Sequence, residues 1–222
     1  MELLVADMPW WFTFSGIFAD FVFAFTALFI SLAAYRVYRF TKQRSTAFFT
    51  IAFASMSLAY FVQAILHIFV LLGLRQAQMY ANLGAAISSF QLSVLAVSFY
   101  IFFMIAGVSL LAYICLREKR PETFALFLLV SLVGLIFTSY LMLTFYLLTT
   151  IFLSFIAYFY YQRHLQRKTT SSLLIFLGFS LLLLGHFQLA ISSLSGWFYL
   201  SGQFTALAGY ISLLWSLLRV VR

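Results

Sequence analysis

Residues 185–222 read GHFQLAISSLSGWFYLSGQFTALAGYISLLWSLLRVVR, and the fold prediction starts from this last stretch of the chain. Its pattern predicts an apolar helix, a turn at residues 192–196, and a second apolar helix. The second helix carries QFTALA at residues 203–208, and a related segment, QLSVLA, occupies residues 91–96. Both segments have Gln, then Thr or Ser two places on, and then Leu-Ala. The similarity indicates an internal duplication.

The composition is typical of a protein embedded in a membrane. Hydrophobic residues make up 65% of the 222 residues, and charged residues only 8%. This balance excludes a soluble domain and predicts an all-α, polytopic integral membrane protein. The net charge of +8 comes from short basic clusters that lie between apolar segments. Such clusters follow the positive-inside pattern, so we do not expect nucleic acid as a partner.

The spacing of apolar segments predicts seven transmembrane helices in a single domain, residues 1–222. A spanning helix needs about 20 apolar residues, and basic clusters or short polar loops separate segments of at least that length. One charge-free run between two basic clusters is long enough for two crossings, with a turn near residues 138–140. The predicted helices cover residues 12–35, 46–73, 83–116, 123–139, 141–161, 170–193 and 198–218.

The basic residues also orient the predicted bundle. With seven crossings and the N-terminus outside, 12 of the 13 Lys and Arg residues face the cytoplasm, and Arg75 is the exception. The N-terminal segment contains Glu2 and Asp7 and lacks the basic region of a signal peptide, so we do not expect cleavage. The expected product is a multi-pass protein of the cell membrane with an external N-terminus and a cytoplasmic C-terminus.

A repeat of three helices, a linker helix and three more helices accounts for the odd helix number. Aligning Gln63 with Gln188 matches the first two helices with the fifth and sixth, and the third helix then matches the seventh. The predicted repeats are residues 12–116 and 141–218, joined by the linker helix 123–139. A single linker helix gives both repeats one orientation, which is a parallel repeat about an axis along the membrane normal.

This arrangement resembles that of the sugar and PQ-loop transporters, which also run three plus one plus three helices from an external N-terminus. Those families carry Pro-Gln and other prolines at hinges within their helices. This chain has only Pro9 and Pro121, and both lie at helix boundaries. The resemblance is therefore one of topology, and it does not extend to proline hinges for alternating access.

Eight polar residues are candidates for a ligand-binding or solute-binding site. Counting from the helix ends places them in the outer half of the membrane, whereas the cytoplasmic half holds mainly Phe, Leu and Tyr. On the second helix, Tyr60, Gln63 and His67 form one stripe, which we expect to face the bundle. The pattern predicts a polar cavity open to the exterior. The candidates are Asp20, Tyr60, Gln63, His67, Gln91, His186, Gln188 and Gln203.

Each candidate also has a structural interpretation. Asp20 is the only acidic residue within a predicted span; it could bind a cation or a proton, or accept hydrogen bonds that fix helix packing. The glutamines could line a solute site or bridge helices. His67 and His186 could ligate one haem b or carry protons, although hydrogen-bonded structural histidines are more common. We predict no bound cofactor and no metal site.

Small residues recur every seven positions on the last two predicted helices. Such residues let two helix backbones approach closely in a membrane, so the stripes predict a packing seam. The stripes are Gly178, Gly185 and Ser192 on one helix, and Gly202, Gly209 and Ser216 on the other.

Three functions are compatible with these features. The first is transport or permeation of a small solute or ion through the outer polar cavity. The second is a ligand-sensing or accessory subunit of a membrane complex, and the third is a haem protein that uses His67 and His186. No catalytic motif is found in the sequence, so we do not expect an enzyme. The expected partners are the lipid bilayer, a small solute or ion, and either further copies of the chain or a membrane partner protein.

Overall fold

The computed structural model describes residues 10–80, 83–116 and 121–221, which form seven α-helices and no strand. Five of these helices, α1, α2, α3, α5 and α6, are long and apolar enough to cross a membrane. The prediction of an all-helical chain with several membrane-compatible helices is therefore confirmed. The helices are α1 (Trp10–Thr41), α2 (Arg44–Tyr80), α3 (Leu83–Leu116), α4 (Pro121–Ile136), α5 (Leu141–Arg167), α6 (Thr170–Ala190) and α7 (Gly196–Val221), and a 3₁₀ turn (Ser192–Leu194) precedes α7.

Several helices continue beyond the apolar segments that predicted them. α1 runs to Thr41 rather than residue 35, and α5 runs to Arg167 rather than residue 161. Hydropathy marks the part of a helix that lipid can surround, whereas the helix itself ends where its backbone hydrogen bonding stops. A lysine in the left-handed conformation follows each of these two helices, Lys42 at φ 53° and Lys168 at φ 49°. Left-handed residues end helices because the following backbone leaves the helical path.

α4 and α6 instead end three residues before their predicted ends. Hydroxyl side chains just beyond each end bond to nearby groups and compete with the helix. Thr138 Oγ1 accepts a hydrogen bond from the N–H of Tyr140 at 3.2 Å. Ser192 Oγ donates to the carbonyl of Leu189 at 2.7 Å. Hydropathy does not register this local competition, since both segments stay apolar overall.

Six helices form a closed ring, and α4 lies outside it. Contacts between neighbours follow the order α1, α2, α3, α5, α6 and α7 and then return to α1. Within the described ranges α4 packs only on α3 and α5, and its residues Leu129, Val133 and Ile136 are exposed. Its 16 residues make a helix about 24 Å long, shorter than the hydrocarbon core of about 30 Å. The predicted linker helix therefore lies at the periphery of the bundle.

Aromatic side chains fill the centre of the ring. The ring of Tyr60 on α2 stacks on Phe23 of α1 with centroids 5.1 Å apart. Tyr60 also packs against Tyr100 of α3 at 5.6 Å and Tyr210 of α7 at 6.2 Å. Tyr100 in turn contacts Phe145 of α5 at 5.4 Å. Buried rings in stacked, tilted and edge-on contacts thus join five helices of the ring into one core.

The predicted seam of small residues is confirmed between α6 and α7. A Cβ placed on Gly209 would lie 2.8 Å from the carbonyl oxygen of Gly178. A Cβ placed on Gly185 would lie 2.9 Å from the carbonyl oxygen of Gly202. The two backbones therefore touch at two levels, which only glycine allows. Close backbone contact of this kind is a main source of helix association in membranes.

Replacing Gly209 with alanine is expected to lower the free energy of unfolding by about 1–3 kcal/mol. The new methyl group would meet the Gly178 carbonyl oxygen at 2.8 Å and the Leu182 nitrogen at 3.0 Å, so α6 and α7 would have to separate. Gly134→Ala is the control, because nothing lies within 4 Å of its added methyl group. Thermal unfolding in detergent measures the effect, and equal melting temperatures for the two variants would contradict the seam.

The basic residues of the described chain, with the exception of Arg75 on α2, gather at one end of the bundle. There the C-terminal parts of α1 and α7 share a groove, and Phe48 of α2 packs on Tyr113 of α3 at 5.9 Å. Ser216 of α7 also donates to the carbonyl of Ser171 on α6 at 3.1 Å. Residues 117–120 and Arg222, which belong to the predicted clusters, lie outside the described residues. The basic end, as we name it, comprises Arg36, Arg39, Lys42, Arg44, Arg163, Arg167, Lys168 and Arg219.

Candidate functional site

A buried acid–histidine pair links α1 to α2. Oδ2 of Asp20 lies 3.4 Å from Nδ1 of His67, and Asp20 is only 8% exposed. A carboxylate held inside an apolar bundle needs a donor or a counter-charge, and the imidazole supplies one. The His67 side chain remains 34% exposed, so the pair connects the interior with the surface. Along α1 the pair lies about 24 Å from Arg36, in the half of the bundle away from the basic end.

Tyrosine residues on four helices lie within electrostatic range of Asp20. They are Tyr60 on α2, Tyr100 on α3, Tyr146 on α5 and Tyr199 on α7. A phenol placed in hydrocarbon needs a polar partner, and a carboxylate is a strong acceptor. Asp20 and the four tyrosines therefore form one polar cluster, in which Asp20, Tyr60 and Tyr100 are buried.

His186 on α6 adds a buried imidazole to this cluster. Its Nδ1 lies 2.9 Å from the carbonyl oxygen of Leu182, and only a protonated Nδ1 can donate to that oxygen. In the neutral ring Nε2 is then an acceptor, and this buried atom has no hydrogen-bond partner among the described residues. The imidazole meets the ring of Tyr146 edge-on at 6.3 Å. The polar centre, to which every helix of the ring contributes, comprises Asp20, Tyr60, His67, Tyr100, Tyr146, His186 and Tyr199.

The four predicted glutamines divide between the interior and the surface. Gln63 and Gln188 each hold a buried Oε1 atom for which the described part of the chain provides no hydrogen-bond partner. Gln203 hydrogen-bonds the hydroxyl of Tyr199. Gln63 lies between Tyr60 and His67 on their shared stripe, so it borders the polar centre directly. Gln188 is two positions from His186 and lies beside the α6–α7 seam, where Gly202 packs against it.

Gln91 lies apart from the polar centre, and its assignment as a site residue stays a prediction. Its side chain is exposed, whereas Tyr100 on the same helix is buried. Nine positions are about two and a half helical turns, so the two side chains point to opposite faces of α3. The related segments 91–96 and 203–208 also turn different faces towards the interior of the bundle, because Ala96 is buried and its counterpart Ala208 is exposed.

Tyr100, Tyr146 and Tyr199 are the members of the polar centre that the sequence reasoning missed. They are inconspicuous among 13 Tyr and 29 Phe residues. A usable signal exists for Tyr100 and Tyr146, because both lie inside apolar spans rather than at the membrane interface, where tyrosine is usually found. The predicted outer cavity would also involve residues 73–90, whose side chains lie outside the described part of the chain, so it stays a prediction.

The arrangement does not fit a haem held between His67 and His186. The helices that carry them, α2 and α6, lie opposite each other in the ring and make no contact among the described residues. A continuous series of packed rings runs from Tyr60 through Tyr100 to Phe145 and occupies the interior between them. His67 is moreover engaged with Asp20. A planar macrocycle would have to displace this aromatic core.

Comparison with models of known protein families, with curated proteins and with solved structures finds no match to this chain. No relative therefore indicates what the protein binds or moves. A functional hypothesis has to come from the chemistry of the polar centre.

Several hydrogen-bond acceptors at the polar centre and beside it have no donor among the described residues. The ionised Asp20 carboxylate can only accept hydrogen bonds, and Nε2 of His186 and Oε1 of Gln63 have no donor within the described protein. A buried acceptor left unpaired costs about 1–3 kcal/mol. A cation, or a solute with several N–H or O–H groups, would satisfy these atoms. The surrounding tyrosine rings would add cation–π attraction.

Proposed function

We propose that the protein moves a small solute or ion across a membrane and that the solute binds at the polar centre. The observation that carries this proposal is the buried Asp20–His67 pair within a cluster built by all six helices of the ring. Ionisable groups inside a membrane bundle are costly, and where they persist they commonly mark ion or solute paths. A purely structural pair would need only the two helices that it joins.

We further propose a seven-span topology with the N-terminus outside and the basic end in the cytoplasm. The gathering of basic residues at one end of the bundle supports this orientation. α4 and the turn at residues 137–140 would supply the extra crossing between the two halves. The surface of α4 that faces away from the ring is apolar, as contact with lipid requires.

The order of helices in the ring supports the proposed parallel repeat. Rotating the ring by half a turn brings α1, α2 and α3 to the positions of α5, α6 and α7 in the helix order. The pairs α2–α3 and α6–α7 also share one packing feature, a glycine of one helix in close contact with a backbone carbonyl of the other. A Cβ on Gly107 would lie 2.8 Å from the carbonyl oxygen of Ala52, and one on Gly209 would lie 2.8 Å from that of Gly178. Sites between such repeats are common in transporters of this architecture.

Transport measurements on single variants test the proposal. The purified protein is reconstituted into liposomes, and currents are recorded on a supported membrane with protons, Na⁺, K⁺, ammonium and methylammonium as probes. Asp20→Asn and Gln63→Leu are expected to reduce the current about tenfold, because each loses a hydrogen bond to a charged or polar solute. Gln91→Leu is the matched control, since Gln91 is exposed on the same bundle and should leave the current unchanged.

Two outcomes would contradict this assignment of the site. Undiminished currents in both Asp20→Asn and Gln63→Leu would exclude the polar centre from the path. An equal loss in Gln91→Leu would show that the effect comes from general damage to the bundle.

The second candidate is a ligand-sensing or accessory subunit of a membrane complex. The specific observation in its favour is the filled aromatic core, in which Tyr210 packs against Phe53 at 6.2 Å on the side of the basic end. A protein that binds a ligand without moving it needs no path through this core. Native mass spectrometry after mild solubilisation separates the candidates. A defined complex with another membrane protein, together with no current for any probe, would favour the accessory role over transport by a monomer or homo-oligomer.

A further inference from the structure

A groove separates α1 from α7 at the basic end, far from the polar centre. Its volume is about 270 Å³. Most of its walls are apolar and open to the lipid side, with Phe29 55% exposed and Leu218 44% exposed. The lining residues are Phe29, Leu32, Ala33, Arg36, Leu214 and Leu218.

The chemistry of the groove changes along its length. Along α1 the wall of the groove extends about 10 Å from Phe29 to Arg36. Over this length its side chains change from aromatic and aliphatic groups to a guanidinium group. Arg39 follows one helical turn later. On α7, Arg219 comes directly after Leu218, and its guanidinium lies 5.8 Å from the centre of the Trp215 ring. The groove therefore runs from an apolar slot to Arg36, and Arg39 and Arg219 follow nearby on the two helices that form its walls.

We propose that this groove binds one anionic phospholipid, with an acyl chain along the apolar walls and the headgroup phosphate on Arg36. Guanidinium groups bind phosphate through paired, charge-assisted hydrogen bonds, and the neighbouring Arg39 and Arg219 add attraction for an anion. A zwitterionic lipid offers the same chain but carries a cation that the three arginines repel. The positive charge at the arginine end of the groove thus selects anionic over zwitterionic lipids, independently of any transport function.

Native mass spectrometry tests the site on the full-length protein. The protein is equilibrated with equal amounts of phosphatidylglycerol and phosphatidylcholine that have the same acyl chains, and the retained lipid is counted. The wild type is expected to retain phosphatidylglycerol at least about fivefold better than phosphatidylcholine. Arg36→Gln is expected to bring the two lipids close to parity. Arg167→Gln is the control, because Arg167 is an exposed residue of the basic end on α5, outside the groove.

A second variant separates the groove from general charge attraction. Leu214→Trp keeps all three arginines but fills the slot, so it is expected to lose the retained lipid. Equal retention of both lipids by the wild type would overturn the proposal. An effect of Arg167→Gln as large as that of Arg36→Gln would also overturn it, since diffuse attraction would then explain the preference. Displacement of the lipid by excess inorganic phosphate would overturn the role of the acyl chain.

Discussion

Replacing Tyr210 with alanine is expected to lower the free energy of unfolding by about 3–5 kcal/mol. Tyr210 is 1% exposed, and its ring contacts Phe23 at 5.7 Å, Phe53 at 6.2 Å and Tyr60 at 6.2 Å. Alanine would leave a cavity where α1, α2 and α7 meet, and lipid cannot reach this point to fill it. The loss of dispersion contacts is therefore not compensated. Thermal or denaturant unfolding in bicelles measures the difference.

Two controls isolate the contribution of the buried ring. Tyr210→Phe keeps the ring and removes only the hydroxyl, which donates a long hydrogen bond of 3.9 Å to the sulfur of Met56, so its expected cost is below about 1 kcal/mol. Trp215→Ala truncates an even larger aromatic side chain on the same helix, but this residue is 53% exposed. A loss of stability in Trp215→Ala equal to that in Tyr210→Ala would contradict a packed aromatic core as the source of stability.

His67→Ala is expected to have the next largest effect, about 2–3 kcal/mol, because it leaves the Asp20 carboxylate without its partner. Breaking a fully buried pair costs about 3–5 kcal/mol, and the lower figure reflects the exposure of His67, which is 34%. The double variant Asp20→Asn/His67→Ala is expected to be more stable than His67→Ala alone, since a carboxamide needs no counter-charge. A double-mutant cycle measures this coupling. Simple additivity of the two single variants would show that the pair contributes nothing.

Local composition was sufficient to predict the helices. The predicted helix 83–116 coincides with α3, Leu83–Leu116, and the predicted turn near residues 138–140 falls between α4 and α5. Such predictions succeed because each apolar segment must satisfy its own backbone hydrogen bonds in lipid, whatever its neighbours are. Helix ends were less predictable, because they depend on caps such as Lys42 and on hydroxyls such as Thr138.

The candidate site was predicted only in part. The stripe of Tyr60, Gln63 and His67 faces the interior as expected, because polar groups on an apolar helix mark the side that avoids lipid. On α3, Gln91 is exposed and Tyr100, which the sequence reasoning did not select, is buried. Where both lipid and core are apolar, a helix such as α3 shows little contrast between its faces, and its rotation cannot be read from its own residues.

The chain's composition and its alternation of apolar segments with basic clusters are enough to specify membrane-compatible helices and the places where they break. These features depend on neighbours in sequence, because hydration of charges and transfer of apolar groups into lipid act segment by segment. The closed order of six helices, the peripheral position of α4 and the meeting of Asp20 with His67 depend on contacts between distant segments. Packing between those segments selects one arrangement of the helices among many of equal hydropathy. This packing occurs at glycines such as Gly178 and Gly209 and at aromatic rings such as Tyr210.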